Sequence, residues 1–135
     1  MIHKTAIIDS KAKISQSVTI GPYSIIGPNV EIDESSIIQS HVNISGYTKI
    51  GKNNTFYPFA SIGSNPQDLK FKGEKTELLF GDNNIIREYV TINPGTVSGG
   101  GKTAGDVLIQ KKDNNKKHIC LSMLMKKEHC RVWNL

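Results

Sequence analysis

Aromatic residues are scarce, at 7% of 135 positions, and there are only two cysteines, Cys120 and Cys130, both late in the chain. A core made from such a composition has to be built from small aliphatic side chains. Two cysteines so close together do not form the framework of a disulfide-stapled secreted domain. No apolar run approaches the length of a membrane-spanning helix. The opening MIHKTAIIDSKA has no apolar stretch of the kind a signal peptide requires. A cytoplasmic protein without a membrane span is therefore expected. The four histidines and two cysteines never cluster at metal-ligand spacing, so no metal and no cofactor are expected. Charge is unevenly placed. Residues 1–101 hold nine Lys/Arg and nine Asp/Glu, whereas residues 102–135 hold eight and three and so carry the whole net charge of +5. That basic excess lacks interleaved aromatics and any recognised binding motif, so nucleic acid is not expected as a partner.

What is abundant is isoleucine, at one spacing. Every sixth residue from Ile8 is large and apolar: Ile8, Ile14, Ile20, Ile26, Ile32, Ile38, Ile44, Ile50, Phe56, Ile62. Two places earlier runs a column of mostly small or β-branched residues, from Ala6, Ala12 and Val18 to Thr48, Asn54 and Ala60. One place later runs a column rich in turn formers, among them Asp9, Gly21, Gly27, Asp33, Gly51 and Gly63. A period of six is neither helical nor that of a lone strand, but it contains the strand's alternation. Each hexad reads as a brief strand and a tight turn, with two side chains pointing inward. Three hexads close a triangular coil, and stacked coils line up equivalent isoleucines. The expected fold is an all-β parallel solenoid. Periodicity alone does not set its hand.

The columns stop after Ile62 and return, still in step, at Phe80, Ile86 and Ile92. The segment between, at about 64–77, is charged and punctuated by Pro66 and Gly73. It reads as a loop ejected from the solenoid, a usual place for binding groups. After Thr103 the columns end: positions 98, 104 and 110 are Ser, Ala and Gln. The expected organisation is a solenoid over 1–103 and a divergent, poorly ordered basic tail over 104–135.

The repeated IG of TIGPYSIIGPNV and KIGKNN resembles the hexapeptide-repeat acyltransferases. That resemblance implies a left-handed parallel β-helix, an exception to the usual crossover hand. NPQDLKFKGE, GDNNIIREYVTINPGT and SGGGKT, with SHVNISGYTKIG and YPFASIG, resemble the UDP-N-acetylglucosamine O-acyltransferases of lipid A biosynthesis over residues 1 to about 103. The family, by that resemblance, moves an (R)-3-hydroxyacyl chain from acyl carrier protein to the glucosamine 3-hydroxyl, working as a homotrimer with sites between neighbouring solenoids. The resemblance assigns Asp68 and Lys70 to the substrate cleft, with Gln67 beside them in the same motif. Asn93 stands where some members have a substrate-contacting His; it hydrogen-bonds but does not titrate near neutral pH. His41 also matches the family, and equally fits a structural residue at a coil corner. The reaction needs a general base, for which His is the usual choice. Two fragments echo the family's catalytic segment: KHIC, with His118 two residues before Cys120, and EHCRVWN, with His129. The break near 104 suggests a disrupted or truncated relative. Two other readings stand beside the transferase: an inactive solenoid fragment, and another hexapeptide sugar acyltransferase.

Overall fold

A computed structural model describes residues 1–67, 69 and 71–97, and the backbone of 117–119. The hexads form strands of two to four residues. These are β1 (Ile7–Ile8), β2 (Lys13–Ile14), β3 (Thr19–Ile20), β4 (Ile25–Ile26), β5 (Val30–Ile32), β6 (Ile37–Ile38) and β7 (Asn43–Ile44), followed by β8 (Tyr47–Ile50), β9 (Thr55–Phe56) and β10 (Ser61–Ile62). Beyond the ejected loop come β11 (Glu77–Phe80), β12 (Asn84–Ile86), β13 (Thr91–Ile92) and β14 (Lys117–Ile119). Strands this short cannot pair within a coil, so each pairs with its counterpart one coil away. Three parallel sheets result, in the orders β1-β4-β7-β10-β13, β2-β5-β8-β11 and β3-β6-β9-β12-β14.

Register follows the isoleucines. Ile14, Ile32, Ile50 and Phe80 are successive partners up one sheet. Ile8, Ile26, Ile44, Ile62 and Ile92 climb the second. Ile20, Ile38, Phe56 and Ile86 climb the third. The three ladders meet in one dry column: the hexad residues from Ile20 to Ile62, together with Ile86, are buried, while Ile8, Ile14, Phe80 and Ile92 pack half-buried at its two ends. Most of the stabilisation comes from this burial, each enclosed aliphatic side chain contributing about 2 kcal/mol.

The inward column of smaller residues is not uniformly apolar. Ser24, Ser36, Thr48, Asn54 and Asn84 are all buried. Thr48 Oγ1 donates to the Ser45 carbonyl of its own coil (2.7 Å), and the other four complete bonds between coils. Ser24 Oγ donates to the Gln39 carbonyl (2.7 Å) and accepts from the Val42 N–H (3.2 Å). Ser36 Oγ does the same with the Gly51 carbonyl and the Asn54 N–H. Asn54 Oδ1 accepts from both the backbone N–H and Nδ2 of Asn84, each at 2.9 Å, and its Nδ2 donates to the Gly51 and Gly81 carbonyls. Backbone groups that the corner leaves without a strand partner are satisfied in this way.

Two of the corners hold non-glycine residues in the left-handed backbone region. One uses Ser35, Asn53 and Asn83, and Asn suits that conformation. The other uses Tyr23, His41, Phe59 and Tyr89, with φ between 57° and 65°. These four rings stack up the outside of the solenoid with neighbouring centroids 5.1–5.2 Å apart. Ring–ring attraction of about 1 kcal/mol per pair offsets the backbone strain there.

After the loop, winding resumes without loss of register. Phe80 pairs with Ile50 thirty residues before it, whereas Ile32 and Ile50 are eighteen apart. β14 lies outside the count by sixes. Ile119 is the partner of Ile86 at a separation of thirty-three residues, which is not a multiple of six.

Candidate functional site

The ejected loop leaves at Gly63, the corner that follows β10. Its backbone N–H donates to the Ile92 carbonyl at 2.8 Å, so the corner after β13, where Asn93 sits, lies directly against it. Glycine is required at this exit. Gly63 has φ +78°, and a Cβ there would collide with the Ser45 carbonyl oxygen and Thr48 Oγ1. Ser61 Oγ and Ser64 Oγ, 3.2 Å apart, tie the first residues of the loop to the strand they leave. Two successive coils thus send their connections out of one corner: residues 63–76 from the lower, and the segment from Asn93 to Val97 from the upper.

The two segments also meet away from the corner. Gly73, at φ +83°, folds the loop back so that Glu74 Oε2 accepts the Lys72 backbone N–H at 2.7 Å. Glu74 Oε1 accepts the Val97 backbone N–H at 3.3 Å. The carboxyl is held below its ordinary value of 4.5, first by its own backbone N–H and then by that of Lys72. A lowered folded value means that this contribution is complete above pH 4.5 and is lost as the pH falls through the folded-state value. Lys75 then lies 4.4 Å from the ring centroid of Tyr47, which anchors the returning limb to β8. Lys11, Lys13, Lys49, Lys75 and Glu31 line an adjoining cleft of about 290 Å³. Within it Glu31 receives Lys13 at 2.9 Å and Lys49 at 4.0 Å, and the Lys13 bond chiefly lowers its carboxyl.

Of the residues singled out in the sequence, Gln67 is exposed on the loop. Asp68, Lys70 and His129 lie outside the described residues. Asn93 is half-buried at the shared corner, and its Oδ1 is enclosed with no hydrogen-bond partner among the described residues. Asn84 Oδ1, inside the solenoid, is in the same state. His118 falls on β14 opposite Ile85, and only its backbone position is described. His41 stands between Tyr23 and Phe59 at the corner preceding β7, whereas the loop leaves the corner that follows β10, so His41 is not brought to the loop. Glu74 was not singled out in the sequence. A Glu following Gly in a charged loop reads as a solvated surface residue, and no local pattern discloses a partner 23 positions away. No group of three or more metal-ligating side chains occurs among the described residues, and no helix there is long and apolar enough to cross a membrane.

Three parallel sheets wound from six-residue repeats, with a polar loop ejected at one corner, define the class. The family model of bacterial transferase hexapeptides (six repeats) matches residues 11–46, and the shared fold is the left-handed β-helix. Within that class, the chain belongs to the acyl-[acyl-carrier-protein]–UDP-N-acetylglucosamine O-acyltransferase family. It is 55% identical over 102 residues to the member from Thermodesulfovibrio yellowstonii, a match covering 76% of this chain and 40% of that protein. It is 54% identical to the crystal structure of the UDP-N-acetylglucosamine O-acyltransferase from Moraxella catarrhalis, with a TM-score of 0.72 over 75% of this chain and 39% of that one. Another crystal structure of a UDP-N-acetylglucosamine acyltransferase superposes with a TM-score of 0.75 at 48% identity, covering 76% of this chain and 40% of that one. The chain therefore spans about 40% of the length of the curated relatives it matches.

Proposed function

We propose that this chain acts in the first step of lipid A biosynthesis, transferring an (R)-3-hydroxyacyl group from acyl carrier protein to the 3-hydroxyl of UDP-N-acetylglucosamine in the cytoplasm. The observation that carries the reading is the shared corner. The loop that carries Gln67 and the segment that starts at Asn93 leave the solenoid there one above the other, in a chain about half identical to named transferases of this reaction. A cationic, hydrogen-bonding loop on a rigid scaffold suits a nucleotide diphosphate sugar. In the transfer, a general base takes the proton of the sugar hydroxyl as its oxygen attacks the thioester carbonyl. The carbon–sulfur bond then breaks, and the carrier's thiolate leaves and takes up a proton. His118, on the strand next to β12, and His129 are the histidines proposed for that base. Asp68 and Lys70 are proposed to hold the nucleotide sugar, as hydrogen-bond acceptor and cation respectively. Three copies with sites between neighbouring solenoids complete the proposal.

Asn93 favours a second reading, a solenoid that binds the nucleotide sugar without turning it over, because an amide binds but does not titrate. The test is a transfer assay on the full chain with acyl carrier protein thioester and UDP-N-acetylglucosamine, run beside His118→Ala and His129→Ala. Turnover lost in one variant assigns the base. Turnover insensitive to both removes both, and binding without turnover selects the second reading. A chain that neither binds nor reacts overturns the proposal.

A further inference from the structure

We infer that Glu74 is a positioning residue, a buckle whose single carboxylate holds the ejected loop and the 94–97 segment together as one unit. Its place in the chain makes this possible. From Lys75 onward the chain is fixed to the solenoid, first by the cation over Tyr47 and then by the pairing of β11 with β8. Glu74 is the last residue before that anchor. It reaches back two residues to the Lys72 N–H through one oxygen and forward 23 residues to the Val97 N–H through the other. Gly73 makes the backward reach possible. Its φ of +83° turns the chain sharply, and no atom lies within 4 Å of where a Cβ would stand, so backbone conformation alone demands glycine here. Each oxygen takes its own donor, so the geometry needs a carboxylate. An amide in its place offers one acceptor and confronts the second N–H with another donor.

The consequence for binding rests on the function proposed above. Gln67 and Leu69 lie on the arm that Glu74 closes, and Glu74 ties that arm to Val97, so displacing one segment displaces the other. The buckle sets where the loop stands before a ligand arrives, which is preorganisation of the binding arm.

Amide hydrogen exchange on the full chain tests it, with Glu74→Ala and Glu74→Gln beside wild type. In Glu74→Ala the Lys72 and Val97 amides should both exchange about tenfold faster, while Ile44 and Ile62 in the column keep their rates. In Glu74→Gln one of the two amides should keep its protection and the other lose it. Unchanged exchange at Val97 in Glu74→Ala overturns the buckle, as does full protection of both amides in Glu74→Gln. A parallel titration with UDP-N-acetylglucosamine separates the two claims. Affinity about tenfold weaker in Glu74→Ala, with an unchanged melting temperature, supports the positioning role, and equal affinity overturns it. If wild type binds no nucleotide sugar, the functional reading falls and the exchange rates still decide the buckle.

Discussion

At the scale of single residues, the buried polar column is as informative as the isoleucines. Asn54 uses both ends of its amide inside the solenoid, giving one proton to the Gly51 carbonyl of its own coil and one to the Gly81 carbonyl of the next, and receiving two from Asn84. The two bonds to Asn84 are shielded from water, because Asn54 and Asn84 are almost wholly enclosed, whereas the Gly51 and Gly81 carbonyls lie nearer the surface. Removing the amide breaks four bonds at once, two of them buried, which costs more than the loss of one exposed bond. Asn54→Ala should lower the unfolding free energy by about 3 kcal/mol, read as a shift of the urea midpoint at constant slope. Ser24→Ala removes a single hydroxyl bridge and should cost about 1 kcal/mol in the same measurement. The sequence shows only that Asn54 falls in an inward column. Its local signal is that of a turn former, and its role becomes visible once Asn84 is brought beside it.

At the scale of elements, the loop and the strands obey different rules. The strands are dictated by spacing, so the path from Ile8 to Ile62 and the return at Phe80 are legible from a count by sixes. The loop is dictated by its exit. Gly63 occupies the left-handed region against the backbone of Ser45, and Gly63→Ala should cost about 3 kcal/mol through strain and collision, read as a lowered melting temperature. The same substitution should speed amide exchange at Ser64 before it affects Ile44, because the strain enters at the corner. The clasp made by Glu74 depends on where two loops happen to meet in space, and no periodicity records that. β14 escaped the count for a related reason: its thirty-three-residue separation from β12 keeps the chain in register through space while losing the beat along the sequence.

At the scale of the whole molecule, the solenoid is nearly one-dimensional. Each coil contacts the one below and the one above, so stability accumulates from neighbour to neighbour rather than around a single centre. Middle coils have two neighbours and end coils have one, as the burial of Ile26 and Ile44 beside the half-exposed Ile8 already shows. Amide exchange should therefore follow height along the axis. The amides of β6, β7 and β9 are expected to be slowest, and those of β1 and β2 faster by about two orders of magnitude. A uniform rate along the axis would mean that the column opens in a single global step.

The alignment of Ile8 with Ile26 and Ile44 has a bearing on how such chains change length in evolution. Eighteen residues, cut out or copied between equivalent points of two lower coils, would reconnect one triangle to the next with every rung still matched. The corner bearing the loop would sink or rise by about 4.8 Å along the axis, the spacing of neighbouring strands, and its own geometry would be untouched. Duplication and excision are then nearly silent for the site, and the height of the tower is a property that selection can tune on its own.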